Sequence, residues 1–239
     1  MLAVIIPAHN EAQLIEQCVR SALGASQHPG LAGEEVRVYV VLDSCTDDTG
    51  RIARSLGAEI LHVQIRNVGV ARATGASAAL AHGARWLAFS DADTVVAADW
   101  LIQQLRCGTD VVCGVISVSD WTGHCPAVRE NFVATYRDAD GHRHIHGANL
   151  GVSAIAYRSV GGFQPRVSNE DVALVEALIA RGASIAWSAA PRVVTSARLD
   201  SRAPAGFGAT LRAVSERLAA AAGTPGDMQL QSSGAEGQV

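Results

Sequence analysis

No run of Lys and Arg stands out in this 239-residue sequence, and its formal net charge is −4, which argues against nucleic acid as the main partner. No window holds 18 uncharged apolar residues, so no transmembrane helix is expected. The apolar stretch from Met1 to Pro7 lacks the positive region of a signal peptide and reads as a strand. Charged residues make up only 18% against 49% hydrophobic, a balance that excludes a disordered chain. The glycine fingerprints of phosphate sites are missing as well. No G-x-G-x-x-G follows the first apolar run and no G-x-x-x-x-G-K-[ST] occurs anywhere, so a phosphate bound here needs another device. Cys18, Cys45, Cys107, Cys113 and Cys125 are odd in number and scattered, which fits reduced thiols in a cytoplasmic setting. Cys107, Cys113, His124 and Cys125 do not have the spacing of a structural zinc module.

What is present is organised around Leu87-Ala-Phe-Ser-Asp-Ala-Asp-Thr94, an apolar run that ends in two carboxylates one residue apart. Strand side chains alternate faces, so a strand leaving the core can aim Asp91 and Asp93 the same way. Two such oxygens make a hard-cation site for Mg²⁺ or Mn²⁺ beside a diphosphate. Asp is also a common turn residue and helix cap, so the pair draws its meaning from the rest of the chain.

That rest alternates. Apolar β-rich runs at 3–6, 36–42, 59–63 and 86–89 are separated by helical spacing after Asn10, after Thr46-Asp47 and over 67–83. Asn10, with Gln13 three residues on, has the pattern of a capping box. The alternation predicts an α/β fold with a mostly parallel sheet covered by helices on both faces. Such sheets bind ligands beyond the carboxyl ends of their strands. His9, Asp43 and the Asp91/Asp93 pair each stand just after a strand and are expected to converge on one crevice.

The second half is less regular. A short helix at Trp100, a strand over 110–118, polar loops over 119–146 and short strands at 185–187 and 192–195 are expected. His124, His142, His144 and His146 read as loop histidines around an opening. Asn169 is placed to cap a helix that carries Glu170 and Asp171 in its first turn, where acidic charge complements the helix dipole. Residues 206–222 have the spacing of a last amphipathic helix, and 223–239 read as a frayed tail.

Taken in order, these pieces resemble family 2 glycosyltransferases of the GT-A fold over residues 2–195. Val4-Ile-Ile-Pro-Ala-His-Asn-Glu11 is similar to the family's opening strand, and Val41-Leu-Asp-Ser-Cys-Thr-Asp-Asp-Thr49 to its second nucleotide loop. Arg66-Asn-Val-Gly-Val-Ala-Arg72 resembles the family's stretch that ends in Ala-Arg, and Asp91-Ala-Asp93 its D-x-D. Gly147-Ala-Asn149, Gly161-Gly-Phe163 and Glu170-Asp171 resemble its acceptor-side motifs. The resemblance implies a single domain over 1–222, with residues 1–118 as the nucleotide-sugar half and 119–222 as the acceptor half. It implies transfer of a sugar from a nucleotide-diphosphate donor, UDP-linked, to an acceptor hydroxyl with inversion, assisted by Mn²⁺ or Mg²⁺.

The implied roles are specific. Pro7, His9, Glu11, Asp43, Arg66, Asn67, Arg72 and Asp91 would line the nucleotide site, with His9 stacking on the base and Asp43 accepting from a ring N–H. Asp93, with Asp91, would hold the metal. Gly147, Asn149 and Glu170 would serve the acceptor, and Asp171 would be the general base. The chain also departs from the family pattern. Leu42 stands where many relatives carry another Asp, and no His follows the last core strand, where Thr195-Ser-Ala-Arg198 offers Arg198 as a diphosphate contact instead. A nucleotide-sugar donor and a hydroxyl-bearing acceptor are the expected partners, without nucleic acid, and a homo-oligomer is left open. Two other functions share the core: a sugar-1-phosphate nucleotidyltransferase, whose glycine- and arginine-rich first loop is not matched by Pro7-Ala-His-Asn-Glu11, and a nucleotide-sugar-binding protein without turnover.

Overall fold

The strand Leu2–Ala8 (β1) is buried along nearly its whole length. Leu2, Val4, Ile6 and Ala8 enter one core, and Ala3 and Ile5 the other. This two-residue alternation between two apolar faces is what a strand covered on both sides requires. The computed structural model describes residues 1–200 and 206–222, so the tail expected from 223 lies outside the described residues.

Strands β2 (Val36–Asp43), β3 (Glu59–Val63), β4 (Trp86–Phe89), β5 (Thr94–Val96), β6 (Val111–Ser117), β7 (Leu150–Ser153) and β8 (Ile185–Thr195) join β1 in one sheet of order β3-β2-β1-β4-β7-β6-β8-β5. β1 pairs in parallel with β2 and β4, β2 with β3, and β6 with β8. β7 runs antiparallel to β4 and β6, and β5 antiparallel to β8. Helices α1 (Ile15–Ser26), α2 (Thr49–Ser55) and α4 (Trp100–Arg106) send Ile15, Val19, Ala53, Trp100 and Leu101 into the first core. The opposite face is covered by α3 (Val68–Ala81), α6 (Ala154–Ser159) and α7 (Glu170–Ala180), through Ala76, Ala79, Tyr157, Leu174 and Leu178. No helix among the described residues is long and apolar enough to cross a membrane.

The four expected strands of the first half are β1 to β4. Four local expectations need correction. The first helix begins at Ile15, because Asn10 adopts φ 53° and its side-chain oxygen accepts from the Thr46 amide instead of capping a helix end. Asn169 precedes α7 as expected, but at φ 55° its side chain makes no capping hydrogen bond. The 119–146 region is not all loop: Pro126–Thr135 forms α5, which opens with Pro at its first position and shares the small cluster of Val128, Ala197, Leu211 and Val214 with α8 (Phe207–Ala222). Finally, the two short strands at 185–187 and 192–195 are one strand, β8, with an irregularity between them. Cys113 pairs with Trp187 and Val115 with Arg192, so Gly114 faces residues 188–191. Pro191, which has no N–H to give a ladder, lies in that irregular stretch.

This layout brings the loops after β1, β2, β3 and β4 to one edge of the sheet. Asn10, Ser44, Arg66 and Asn169 all hold positive φ there, and such strained backbone gathers where loops are held in place for a purpose.

Candidate active site

At that edge lies a cavity of about 770 Å³, within the range of small-molecule sites. His9 stands at the end of β1, and its Nδ1 is 2.7 Å from the Asp43 carbonyl. A carbonyl only accepts, so Nδ1 carries the proton and the ring is fixed in orientation. The Asp43 carboxylate gathers the β3–α3 turn. Oδ1 accepts from the amides of Ile65 (2.9 Å) and Arg66 (2.7 Å) and from the Ser44 hydroxyl (2.9 Å), and Oδ2 accepts from the Asn67 amide (2.7 Å). Burial alone would raise this carboxyl, but the three amides together hold it below the usual carboxylate range. Asp43 therefore shapes the loop carrying Arg66 as well as the cavity wall. The Asn67 side chain caps α3 by accepting from the Val70 amide at 3.0 Å, and its own amide donates to Asp43.

The floor of the cavity is a set of paired charges. Arg72, only 3% exposed, places Nη2 on Asp91 and Nη1 on Glu170 and lies 5.8 Å over the Phe163 ring. Its role is thus to join two carboxylates from distant parts of the chain, with its Nε left without a hydrogen-bond partner. Asp93 faces Arg198, whose Nη2 lies 3.2 Å from its Oδ2. The same guanidinium forks onto Glu11, Nη1 to Oε2 at 2.6 Å and Nη2 to Oε1 at 2.5 Å. Burial and the neighbouring Asp91 charge push the Asp93 carboxyl up to about 7, with Arg198 opposing them. The β5–β8 pairing brings Arg198 there: Thr94 and Thr195 are register partners whose hydroxyls lie 2.9 Å apart.

Asp171 Oδ2 accepts the Gly147 amide at 2.7 Å and Oδ1 accepts the Val172 amide at 2.8 Å. Each oxygen keeps a lone pair for a further donor. Gly147, Glu170 and Asp171 line the cavity, but Asn149 does not. It is fully buried, with Oδ1 accepting from the Trp100 indole at 2.8 Å and Nδ2 donating to the carbonyls of Val115 (2.8 Å) and Pro191 (2.9 Å). Its side chain is engaged in these three hydrogen bonds. It stitches β6 to the irregular part of β8.

A divalent cation suits the chemistry of this floor. Among the described residues no three His, Cys, Asp or Glu side chains form a metal cluster. Asp91 and Asp93 nonetheless offer hard oxygen donors, and Mg²⁺-type ions are commonly held by one or two carboxylates together with water and substrate phosphates.

Residues 3–145 match the model of Glycosyl transferase family 2. The chain belongs to that family. No curated protein sequence matches it. Among solved structures it is similar to S. aureus TarS 1–349 in complex with UDP-GlcNAc (TM-score 0.64, 15% identity, 86% of this chain and 61% of that one). It is also similar to the mannosyltransferase PcManGT from Pyrobaculum calidifontis in complex with GDP-Man and Mn²⁺ (TM-score 0.62, 19% identity, 94% of this chain and 65% of that one). Against the longer TarS crystal structure the TM-score is 0.62 at 16% identity, and the match spans 82% of this chain but only 36% of that one. The chain thus covers less than two thirds of each of these neighbours, and at these identities the likeness establishes the fold, GT-A.

One wall of this family 2 cavity was missing from the sequence reading. Phe132 of α5 and Tyr136, just past its end, stack at 4.8 Å, Tyr136 and His144 at 4.1 Å, and Phe207 of α8 meets Phe132 edge-on at 5.8 Å. The Tyr136 hydroxyl accepts the Ile116 amide at 2.8 Å and lies 3.1 Å from His146 Nε2. His144 and His146 do border an opening, as the polar 119–146 stretch suggested. Burial, then the nearby His144 and His142, lower His146 to about 4 against the pull of Asp171. Only the aromatic residues of α5 could have signalled this wall, and without a recognised helix their shared face was not legible.

Proposed function

We propose that this chain is a metal-assisted, inverting glycosyltransferase that moves a sugar from a nucleoside diphosphate, UDP in the first instance, to an acceptor hydroxyl. One observation carries the reading: a single cavity is lined by Asp91 and Asp93 together with His9, Asp43 and Asp171. Family membership supports the same chemistry.

In this reading His9 stacks on the base, and the 65–67 turn organised by Asp43 borders the nucleoside. Asp93 and Asp91 would hold the cation, which when bound neutralises charge growing on the leaving diphosphate. Asp171 takes the proton of the acceptor hydroxyl as its oxygen attacks the anomeric carbon and the bond from that carbon to the diphosphate oxygen breaks. One carboxylate is sufficient for this single displacement, and no enzyme nucleophile is required. Glu170, committed to Arg72, keeps the helix that carries Asp171 in register with the floor.

The test is a calorimetric titration of the protein with UDP and with GDP, each with and without MnCl₂. The reading expects nucleoside diphosphate binding that Mn²⁺ strengthens, and UDP tighter than GDP. No binding of either nucleotide, or binding indifferent to Mn²⁺, would overturn it.

A further inference from the structure

Arg198 lies among carboxylates that a metal–diphosphate pair would also need. Its fork onto Glu11 uses both terminal nitrogens at 2.5 and 2.6 Å, whereas its contact to Asp93 is longer, at 3.2 Å. Glu11 is 5% exposed, and a carboxylate that deeply placed needs a permanent partner. Asp93 is less tightly held and shares the floor with Asp91, whose own partner is Arg72. Glu11, Asp91, Asp93 and Glu170 thus face two guanidinium groups, Arg72 and Arg198, and the carboxylates are in formal excess. The backbone supports this placement: the Arg198 amide donates to Ser196 Oγ at 3.2 Å, just beyond the Thr94–Thr195 tie.

We propose that Arg198 is the resident cation of Asp93, held in place by Glu11, and that it exchanges Asp93 for a diphosphate oxygen of the donor. The divalent cation then enters the Asp91–Asp93 site together with a nucleoside diphosphate and not before it. The exchange is favourable in kind, because a guanidinium matches phosphate oxygens as well as carboxylates. It also breaks the weaker of the two contacts while keeping the fork. A bare cation, by contrast, meets an Asp93 already countered by a positive charge. It finds only two protein carboxylates, and the phosphate oxygens that would complete its shell are missing. Glu11 is on this account a positioning residue, not a contact to the nucleotide. The inference rests on the reading of the cavity as the donor site.

The experiment follows the free Mn²⁺ signal by electron paramagnetic resonance as protein is added, with and without UDP, and measures UDP affinity calorimetrically in Mn²⁺. Wild type is expected to take up Mn²⁺ at least about tenfold more tightly with UDP present, a difference of roughly 1.4 kcal/mol. Arg198→Gln is expected to bind Mn²⁺ without nucleotide and to lose about tenfold or more in UDP affinity. Equal Mn²⁺ uptake by wild type with and without UDP would overturn the proposal. So would UDP binding by Arg198→Gln as tight as that of wild type. Absence of any UDP or GDP binding by wild type overturns the donor-site reading itself, which separates the two failures. Removing the partner of buried Glu11 endangers folding, so circular dichroism accompanies each variant. If Arg198→Gln does not fold, Arg198→Lys is expected to keep Mn²⁺ uptake dependent on UDP, because its ammonium still counters Asp93, and to lose about tenfold in UDP affinity, because it cannot fork. UDP binding by Arg198→Lys as tight as that of wild type would overturn the proposal.

Discussion

The guanidinium of Arg72 occupies the space that a side chain at Gly147 would need. It cannot step aside, because one terminal nitrogen is on Asp91 and the other on Glu170. Gly147→Ala is therefore expected to cost about 1–3 kcal/mol of stability, the range for overpacking a filled site. It should also weaken UDP binding by displacing Asp91. Urea denaturation and calorimetry on the same preparation check both. A variant as stable as wild type would show that the Arg72 bridge yields easily.

How much of this was legible in the sequence follows from the range of the interactions. β1 and β4 read directly as apolar runs because strands buried on both faces need no polar alternation. Asp91, Asp93 and Asp171 were legible as carboxylates at element ends. The partners that give them meaning were not. Arg72 meets Glu170 across 98 positions, and Arg198 meets Glu11 across 187. β5 has only three residues and exists through its pairing with β8, and α5 through its packing on α8. Motif position suggests Asn67 and Asn149 as ligand contacts, and only the fold reveals that the Asn67 side chain also caps α3 and that of Asn149 also ties β6 to β8.

Asp171→Asn separates chemistry from binding. The amide keeps one oxygen for the Gly147 or Val172 amide but takes no proton from an acceptor. Turnover of a nucleotide sugar, read as hydrolysis with water as acceptor, is expected to fall by about a hundred- to ten-thousandfold. UDP affinity should stay as in wild type, since both Asp171 oxygens accept backbone amides while the ion pairs of Arg72 and Arg198 run to Asp91, Glu170, Glu11 and Asp93. Hydrolysis at the wild-type rate would remove the base role.

His146 makes stability depend on pH. Its folded value, about 4, lies below the usual 6.5, so the unfolded chain binds the extra proton first. Stability from the neutral ring is therefore full above pH 6.5 and lost as the pH falls towards 4, at a slope of order 1 kcal/mol per pH unit. The groups facing it are Tyr136, His142, His144 and Asp171. Urea unfolding at pH 7, 6 and 5 should show wild type losing more stability per unit than His146→Gln. Parallel curves would count against the burial of this ring.

Asn149→Ala distinguishes a strand tie from an acceptor contact. The truncation strands the Trp100 indole N–H and the carbonyls of Val115 and Pro191 inside the protein, where no water reaches Asn149 itself. Each buried polar group left without a partner costs about 1–3 kcal/mol, so a total loss of roughly 3–5 kcal/mol is expected after partial relaxation. Asn149→Asp is expected to fare no better, because a carboxylate cannot donate to two carbonyls and would bury a charge among them. Gly114 is under the same constraint, since a side chain there would collide with the Asn149 amide. An acceptor-contact role makes the opposite forecast: near-normal urea denaturation for Asn149→Ala with a raised KM for acceptor. The indole of Trp100, fully buried on α4, donates its N–H to Asn149 Oδ1, which is why the loss should appear in stability first.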